Sequence, residues 1–180
     1  MGLKKVLAER KTPIVKKWFD KVVETYPTDT ARFLKRQKDP FGNPVGSTTF
    51  EALTRIFEEL LKEAPDSEAL QTAADPIIRI RAVQTMFSPA QAAGFPYFLK
   101  TIIREELESQ LSDVQLLEAL LAFDLEIDKL SLVTFNIYTK CRETVYQLKT
   151  NLERERLYKA FSRAGLVHEI PEDGPDLEEK

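Results

Sequence analysis

The chain has 180 residues, 43% of them hydrophobic, which is enough for one domain with its own core. Its 26 Lys and Arg against 29 Asp and Glu give a net charge of −3, which disfavours a globally basic nucleic-acid binder. One cysteine and one histidine, His168, exclude a disulfide within the chain and a multi-histidine metal site, so we predict no metal, haem or other cofactor. No apolar run is long enough to cross a membrane, and no secretory h-region follows Met1, so we expect a cytoplasmic protein.

Charge is distributed unevenly along the chain. Residues 1–40 hold eleven Lys or Arg against five Asp or Glu, whereas residues 166–180 hold one against six. We interpret both segments as solvated surface, and a salt-sensitive nucleic-acid contact through the basic head is the alternative. The acidic segment also holds two prolines, so we predict one domain over residues 1–165 and a disordered tail over residues 166–180.

Apolar residues recur at helical spacing through nearly the whole chain, which predicts an all-α bundle of about six helices. The first pattern runs over residues 3–26. Thr12-Pro13 interrupts it, which leaves open a kinked helix or two short helices, with Thr12 as the cap of the second. A short helix is predicted next, over about residues 28–37.

A loop with two prolines and two glycines covers residues 39–46. Apolar side chains within it indicate that it packs onto the domain, and we assign Phe41, Asn43 and Pro44 as the packing residues.

Three further helical patterns precede residue 113. They cover residues 47–64, residues 67–87 and, after a Ser88-Pro89 start, the segment up to about Ser109, with a kink expected at Pro96. The first of these has three candidate caps, namely Ser47, Thr48 and Thr49.

The last pattern starts at Asp113 and meets no proline or glycine before Gly165, which predicts one long C-terminal helix. Its second half has only one packed face, which leaves the continuity of the helix open. An apolar seam is spaced nearly as a heptad and comprises Leu116, Leu120, Phe123, Ile127, Leu130, Ile137, Cys141, Val145, Leu148 and Leu152. A second stripe suggests burial of the first half on two sides, and comprises Leu117, Leu121, Leu132, Phe135 and Tyr146.

A helix that outruns its own domain usually pairs with another helix. We therefore predict a homodimer paired along residues 116–152. We place the output end of the helix at four residues, Leu148, Leu152, Arg154 and Arg156.

Polar residues interrupt an apolar stretch at Arg79, Arg81 and Gln84, of which the last two share a helical face. Asp124 and Asp128, four residues apart on the last helix, are their predicted partners in a buried ion-pair network. The alternative is a ligand-binding or catalytic bundle that uses both arginines and both aspartates. The pattern holds no nucleophile, metal site or oxyanion donor beside them, so we predict that the protein is not an enzyme.

Several segments, taken in chain order, resemble the N-terminal domain of RsbT co-antagonist proteins of the RsbRD type. The resemblance covers about residues 3–160. The segments that carry it are Lys17-Trp18-Phe19, Tyr26-Pro27, residues 39–46, residues 75–84, residues 87–92, Leu99-Lys100, residues 127–130 and residues 138–143.

The resemblance implies a helical sensor domain related to the non-haem, globin-like sensors of stressosome proteins. Those domains dimerise and continue through a linker helix into a phosphorylatable STAS output domain. Only 15 residues follow Gly165, so we expect a stand-alone sensor or adaptor without the STAS domain and its threonines. We predict a stress-response regulatory protein that senses a ligand or partner. It relays the signal through its last helix to another signalling or respiratory-complex protein.

Overall fold

The computed structural model describes residues 2–36, 41–110 and 113–167, apart from the side chain of Ser109. These residues form eight α-helices and one 3-10 turn, Glu108–Gln110, and contain no β-strand, so the all-α prediction is confirmed. The helices are α1 Leu3–Glu9, α2 Lys11–Val23, α3 Thr28–Arg36, α4 Pro44–Leu60, α5 Ser67–Ala82, α6 Pro89–Ala93, α7 Pro96–Leu107 and α8 Val114–Arg163.

The chain divides into two units, Met1–Arg142 and Glu143–Lys180. The first unit contains α1 to α7 and the first part of α8, and the second contains the last part of α8. The predicted acidic tail lies outside the described residues from residue 168 onward, and so does His168.

The first predicted pattern forms two short helices. Arg10 separates α1 from α2 with φ −104° and ψ 16°, although its N–H still donates to the carbonyls of Val6 and Leu7 at 3.3 and 3.2 Å. Thr12 lies inside α2, so the predicted cap at this residue is wrong. Pro13 occupies the first turn of α2, where a missing N–H removes no intrahelical hydrogen bond.

The helix predicted from Ser88 onward forms two helices instead of one kinked helix. Ser88 starts α6 with a reciprocal cap, because its Oγ accepts from the N–H of Gln91 at 3.2 Å while its own N–H donates to Gln91 Oε1 at 3.0 Å. Pro96 then begins α7, since a proline cannot donate the hydrogen bond that would continue α6. Gly94 fits this joint because a Cβ there would lie 2.4 Å from the carbonyl oxygen of Ala90.

The loop before α4 is anchored by Asn43. Its Oδ1 accepts from the N–H of Gly46 and its Nδ2 donates to the carbonyl of Leu34, both at 2.9 Å, so it caps α4 and joins α4 to α3. Phe41 is 96% exposed and Pro44 is also exposed, which corrects the prediction that these two residues pack onto the domain. The prediction of a cap at Ser47, Thr48 or Thr49 is also wrong.

The core of the first unit is organised by α2, which packs against α4 and α7, while α4 packs against α5. Trp18 of α2 is fully buried, and its ring lies 6.0 Å from the ring of Phe95. The indole Nε1 donates to the carbonyl of Phe95 at 2.8 Å, which satisfies both polar groups inside the core.

The last helix, α8, runs without interruption over 50 residues, which confirms the predicted long C-terminal helix. Its buried residues between Leu116 and Tyr138 include the first part of the predicted seam, from Leu116 to Ile137. The rest of the seam is not buried, since Cys141 is only partly buried and Leu148 and Leu152 are exposed. The second stripe is exposed, so the prediction of burial on two sides is wrong. Within the first unit, only one side of α8 faces the other helices. The exposed fractions are 42% for Leu117, 57% for Leu121, 67% for Leu132 and 53% for Phe135.

The C-terminus of α8 follows the predicted glycine stop. Gly165 has φ +67° and donates its N–H to the carbonyl of Ser162 at 3.1 Å, and Leu166 donates to the carbonyl of Phe161 at 2.9 Å. These two bonds are those of the Schellman motif, which needs a left-handed residue at this position.

Candidate functional site

Arg81, in the last turn of α5, is the most unusual side chain of the first unit. It is only 2% exposed, and its Nη2 donates to Thr25 Oγ1 at 2.7 Å and to the carbonyl of Gln91 at 2.9 Å. Its guanidinium carbon lies 4.2 Å from the ring centroid of Phe87 and 5.5 Å from that of Tyr26. A buried cation is thus held by two neutral oxygens and two aromatic rings.

No carboxylate of the described residues pairs with Arg81. Its Nε is buried without a hydrogen-bond partner, and so is the Oε1 atom of Gln84. Burial lowers the pKa of Arg81, against an opposite effect of Tyr26, although a guanidinium stays protonated at neutral pH. A charge buried without a counter-ion is costly, so this position departs from the rule that buried charges are paired.

The two rings beside Arg81 hold each other in place. Tyr26 and Phe87 meet edge to face, with centroids 4.9 Å apart and an interplanar angle of 88°. Burial raises the pKa of the Tyr26 phenol, while the charge of Arg81 and a hydrogen bond with Gln84 act in the opposite direction. The phenol is therefore neutral at physiological pH and supplies no counter-ion.

A groove of about 710 Å³ adjoins this cluster. Thr25 and Gln91, the two residues that accept hydrogen bonds from Arg81, lie in its wall. The groove is also lined by residues of α6, α7 and α8, namely Pro89, Ala90, Ala93, Gly94, Tyr97, Phe98, Ser131, Leu132 and Phe135. Its volume lies within the range of about 300–1,000 Å³ that is common for small-molecule sites.

The structure does not bring the two predicted aspartates to Arg81. Asp124 pairs with Arg104, and Asp128 pairs with Lys100 at 2.6 Å. Lys100 and Arg104 are both on α7 and are also four residues apart, so two parallel ion pairs join α7 to α8. These pairs correct the predicted network, because they engage both carboxylates that were expected to pair with the arginines of α5.

The other two residues of the predicted network, Arg79 and Gln84, also differ in their surroundings. Arg79 pairs with Asp75 one turn earlier on α5, and its side chain is 70% exposed. Gln84 stays close to Arg81 through their shared neighbour Tyr26. The alternative of a catalytic bundle required both arginines and both aspartates around one pocket, and the structure does not assemble them in this way.

Several residues of this site were not predicted from the sequence. Thr25 and Tyr26 contact Arg81 from a distant part of the chain, and Phe87 contacts it from the loop after α5. Lys100 and Arg104 take the place of the predicted arginines. Only Lys100 and Arg104 had a usable signal, because their four-residue spacing equals that of the two aspartates.

The structure also describes the seam residue Cys141 and the basic head over residues 1–36. Cys141 is partly buried and packs against the core, and burial raises the pKa of its thiol, which disfavours a reactive thiolate. In the basic head, Lys11, Lys17 and Lys35 pair with glutamates at 2.6–2.8 Å. Part of the positive charge is thus neutralised within the fold, which weakens the alternative of a nucleic-acid contact.

The four residues predicted at the output end lie in the second unit and are all exposed. Leu148 is 59% exposed and Leu152 is 54% exposed, while Arg154 and Arg156 follow in the next turn of α8. Further along the helix, Leu157, Tyr158 and Phe161 are also exposed. This segment therefore presents apolar and basic side chains together.

The groove beside the buried cation of Arg81 is the candidate binding site of the first unit. No helix within the described ranges has both the length and the apolar character needed to cross a membrane.

The comparison with protein families gives a more specific assignment. Residues 12–152 match the family of the RsbT co-antagonist protein rsbRD N-terminal domain, so the chain belongs to this family, as the sequence analysis predicted. This membership indicates a regulatory role in stress signalling. No curated protein and no solved structure matches the chain.

Proposed function

We propose that the chain is a non-enzymatic regulatory domain that senses a ligand or protein partner in the groove beside Arg81 and relays it through α8. The composition of the groove wall carries this proposal. Thr25 and Gln91 contact Arg81, whereas Ser131 and Leu132 belong to α8. A molecule in the groove would therefore touch the neighbours of the buried cation and the relaying helix at once.

Two hydrogen bonds support a mechanical link to α8. Thr134, fully buried on α8, donates its hydroxyl to the carbonyl of Ala93 at 2.9 Å. Arg142 donates from Nη1 to the carbonyl of Ala82 at 3.1 Å. These carbonyls lie at the ends of α6 and α5. A shift of either helix end would change its hydrogen bond to α8 and thereby the position or register of α8.

We further propose a homodimer in which α8 pairs with a second copy within residues 116–152. The exposed seam residues Leu148 and Leu152 support this pairing, since neighbouring exposed apolar side chains mark an interaction surface. An isologous interface would bring these residues of both copies together.

Static light scattering of the purified chain tests the dimer. We expect twice the chain mass of 20.6 kDa for the wild type and a monomer for the Leu148→Asp/Leu152→Asp double variant. Two carboxylates placed on an apolar seam oppose pairing by desolvation and repulsion. The matched control is Gln147→Asp/Asn151→Asp, which adds the same charge on another face of α8 and should remain a dimer. A dimer of the leucine variant would contradict the pairing.

We propose the cytoplasm as the compartment of this domain, with another signalling or respiratory-complex protein as its output partner. The regulatory role of the family supports a protein partner in general terms. The exposed basic side chains of Arg154 and Arg156, beside Leu148 and Leu152, provide the surface that such a partner would contact.

A further inference from the structure

The groove beside Arg81 has an uncharged and largely apolar wall, and a buried positive charge lies behind this wall. Ala93, Phe98, Leu132 and Phe135 supply much of this surface, and none of the described residues that line the groove is Asp, Glu, Lys or Arg. The ammonium of Lys100 lies 5.7 Å from the ring centroid of Tyr97, which lines the groove, but Lys100 is paired with Asp128. Among the described residues, no carboxylate pairs in this way with the guanidinium behind the wall.

Arg81 lies one hydrogen bond behind the wall, since its Nη2 is 2.7 Å from Thr25 Oγ1 and 2.9 Å from the carbonyl of Gln91. Both acceptors are neutral, and its Nε has no acceptor among the residues that the structure describes. An incoming anion would thus not have to displace an internal carboxylate. Charge-assisted hydrogen bonds to a guanidinium are about twice as strong as those between neutral groups.

We propose that the groove binds a small organic monocarboxylate with an apolar body, which names the ligand class of the sensing function proposed above and rests on it. The carboxylate accepts hydrogen bonds from Arg81, and the apolar body lies against Phe98, Leu132 and Phe135. Thr25 controls access, because its hydroxyl accepts from Arg81 and donates to the carbonyl of Val22 at 2.6 Å. Rotation of this side chain frees Nη2 for the ligand.

The apolar wall distinguishes this ligand class from an inorganic anion. Phosphate or sulfate needs several donors around it, whereas the wall offers few polar groups apart from those engaged with Arg81. A monocarboxylate with an aliphatic or aromatic body places one charge at Arg81 and covers the apolar side chains.

Calorimetric titration of the full chain with hexanoate, at constant ionic strength, tests the proposal. Hexanamide, which has the same shape without the charge, is the control ligand. We expect saturable binding of hexanoate with one site per chain, and binding of hexanamide that is weaker by about tenfold or more, because only the carboxylate neutralises Arg81.

Two variants locate the binding site. Gln91→Glu keeps the oxygen that caps α6 but adds a negative charge at the groove, and we expect it to weaken hexanoate binding about tenfold. The matched control, Gln115→Glu, adds the same charge at an exposed position that does not line the groove, and should bind as the wild type does. Arg81→Lys, which removes the guanidinium, should lose binding at pH 7. If this variant does not fold, the two glutamine variants decide.

Equal binding of hexanoate and hexanamide would overturn the carboxylate proposal and leave a groove that senses an uncharged ligand. Hexanoate binding that Gln91→Glu does not weaken would overturn it by placing the ligand elsewhere. Absence of hexanoate binding would also overturn it, while the dimer and its light-scattering test would stand or fall separately.

Discussion

Replacing Arg81 by lysine tests whether this cation is truly buried without a counter-ion. A guanidinium stays charged even when it is desolvated, whereas a lysine ammonium in the same place gives up its proton. Arg81 is 2% exposed and faces two neutral oxygens and two rings, so no carboxylate of the described site balances the charge of an ammonium. We therefore expect the pKa of the introduced amine in the folded protein to fall well below its ordinary value of about 10.4.

The sign and size of the effect follow from proton linkage. Between the lowered pKa of the folded state and about 10.4, the unfolded Arg81→Lys chain binds one more proton than the folded chain. The free energy of unfolding of the variant, relative to the wild type, therefore rises with pH by about 1.4 kcal/mol per pH unit. From pH 7 to pH 9 the variant recovers about 2.7 kcal/mol, provided that its folded pKa lies below 7.

Equilibrium unfolding in urea at pH 7, 8 and 9, at one protein concentration, measures this slope. The matched control is Arg79→Lys, since the side chain of Arg79 is 70% exposed and pairs with Asp75, so that an ammonium there stays charged. We expect no slope in the difference between this control and the wild type. A pH-independent difference for Arg81→Lys would refute the claim that Arg81 is buried without a counter-ion.

Two further substitutions test the fold that supports the site. Trp18→Phe should lower the free energy of unfolding by about 2–4 kcal/mol, because it leaves the carbonyl of Phe95 without its indole donor and opens a cavity. A loss below about 0.5 kcal/mol in urea unfolding would contradict this packing. Asn43→Ala should cost about 1–3 kcal/mol through its lost bonds to Gly46 and Leu34, and a loss below about 0.5 kcal/mol in thermal unfolding would contradict this anchoring role.

Local rules predicted the ends of several helices well. Gly165 stops α8 with the expected positive φ, and Ser88-Pro89 starts a helix with the expected cap. In both cases the decisive hydrogen bonds join residues that are three to five positions apart, so that the local sequence contains the whole cause.

Predictions of helix caps and ion pairs failed where a contact from another part of the fold decided between local alternatives. Three hydroxyl residues after the loop could cap α4, but Asn43 does so because it also reaches the carbonyl of Leu34 on α3. In the same way, the sequence offered two pairs of cations to Asp124 and Asp128. Lys100 and Arg104 match their four-residue spacing, and the packing of α7 beside α8 brings these two cations to the aspartates.

The periodicity of α8 predicted two apolar faces but not what covers them. The face that contains Leu120 and Ile127 lies in the core of the first unit, whereas the face with Leu121 and Leu132 is exposed. A pattern of apolar residues indicates that a helix face is buried in the functional protein. Another molecule, such as a second copy of the chain, can bury that face.

Arg81 illustrates why the candidate site was only partly predictable. Its position on a helical face was readable from its spacing with Gln84, but its neighbours Tyr26 and Phe87 come together only in the fold. The arrangement costs stability, since a buried charge lacks its opposite charge. Such departures from the rules of folding concentrate at functional sites, where a ligand can supply the interaction that a buried group lacks.

Native mass spectrometry of the protein purified from its own host would detect both the pairing along α8 and a ligand beside Arg81. We expect a dimer of the 20.6 kDa chain that carries the added mass of a small organic acid, and a dimer without that mass for Arg81→Lys. A monomer without any added mass in the wild type would contradict both the pairing along α8 and the ligand beside Arg81.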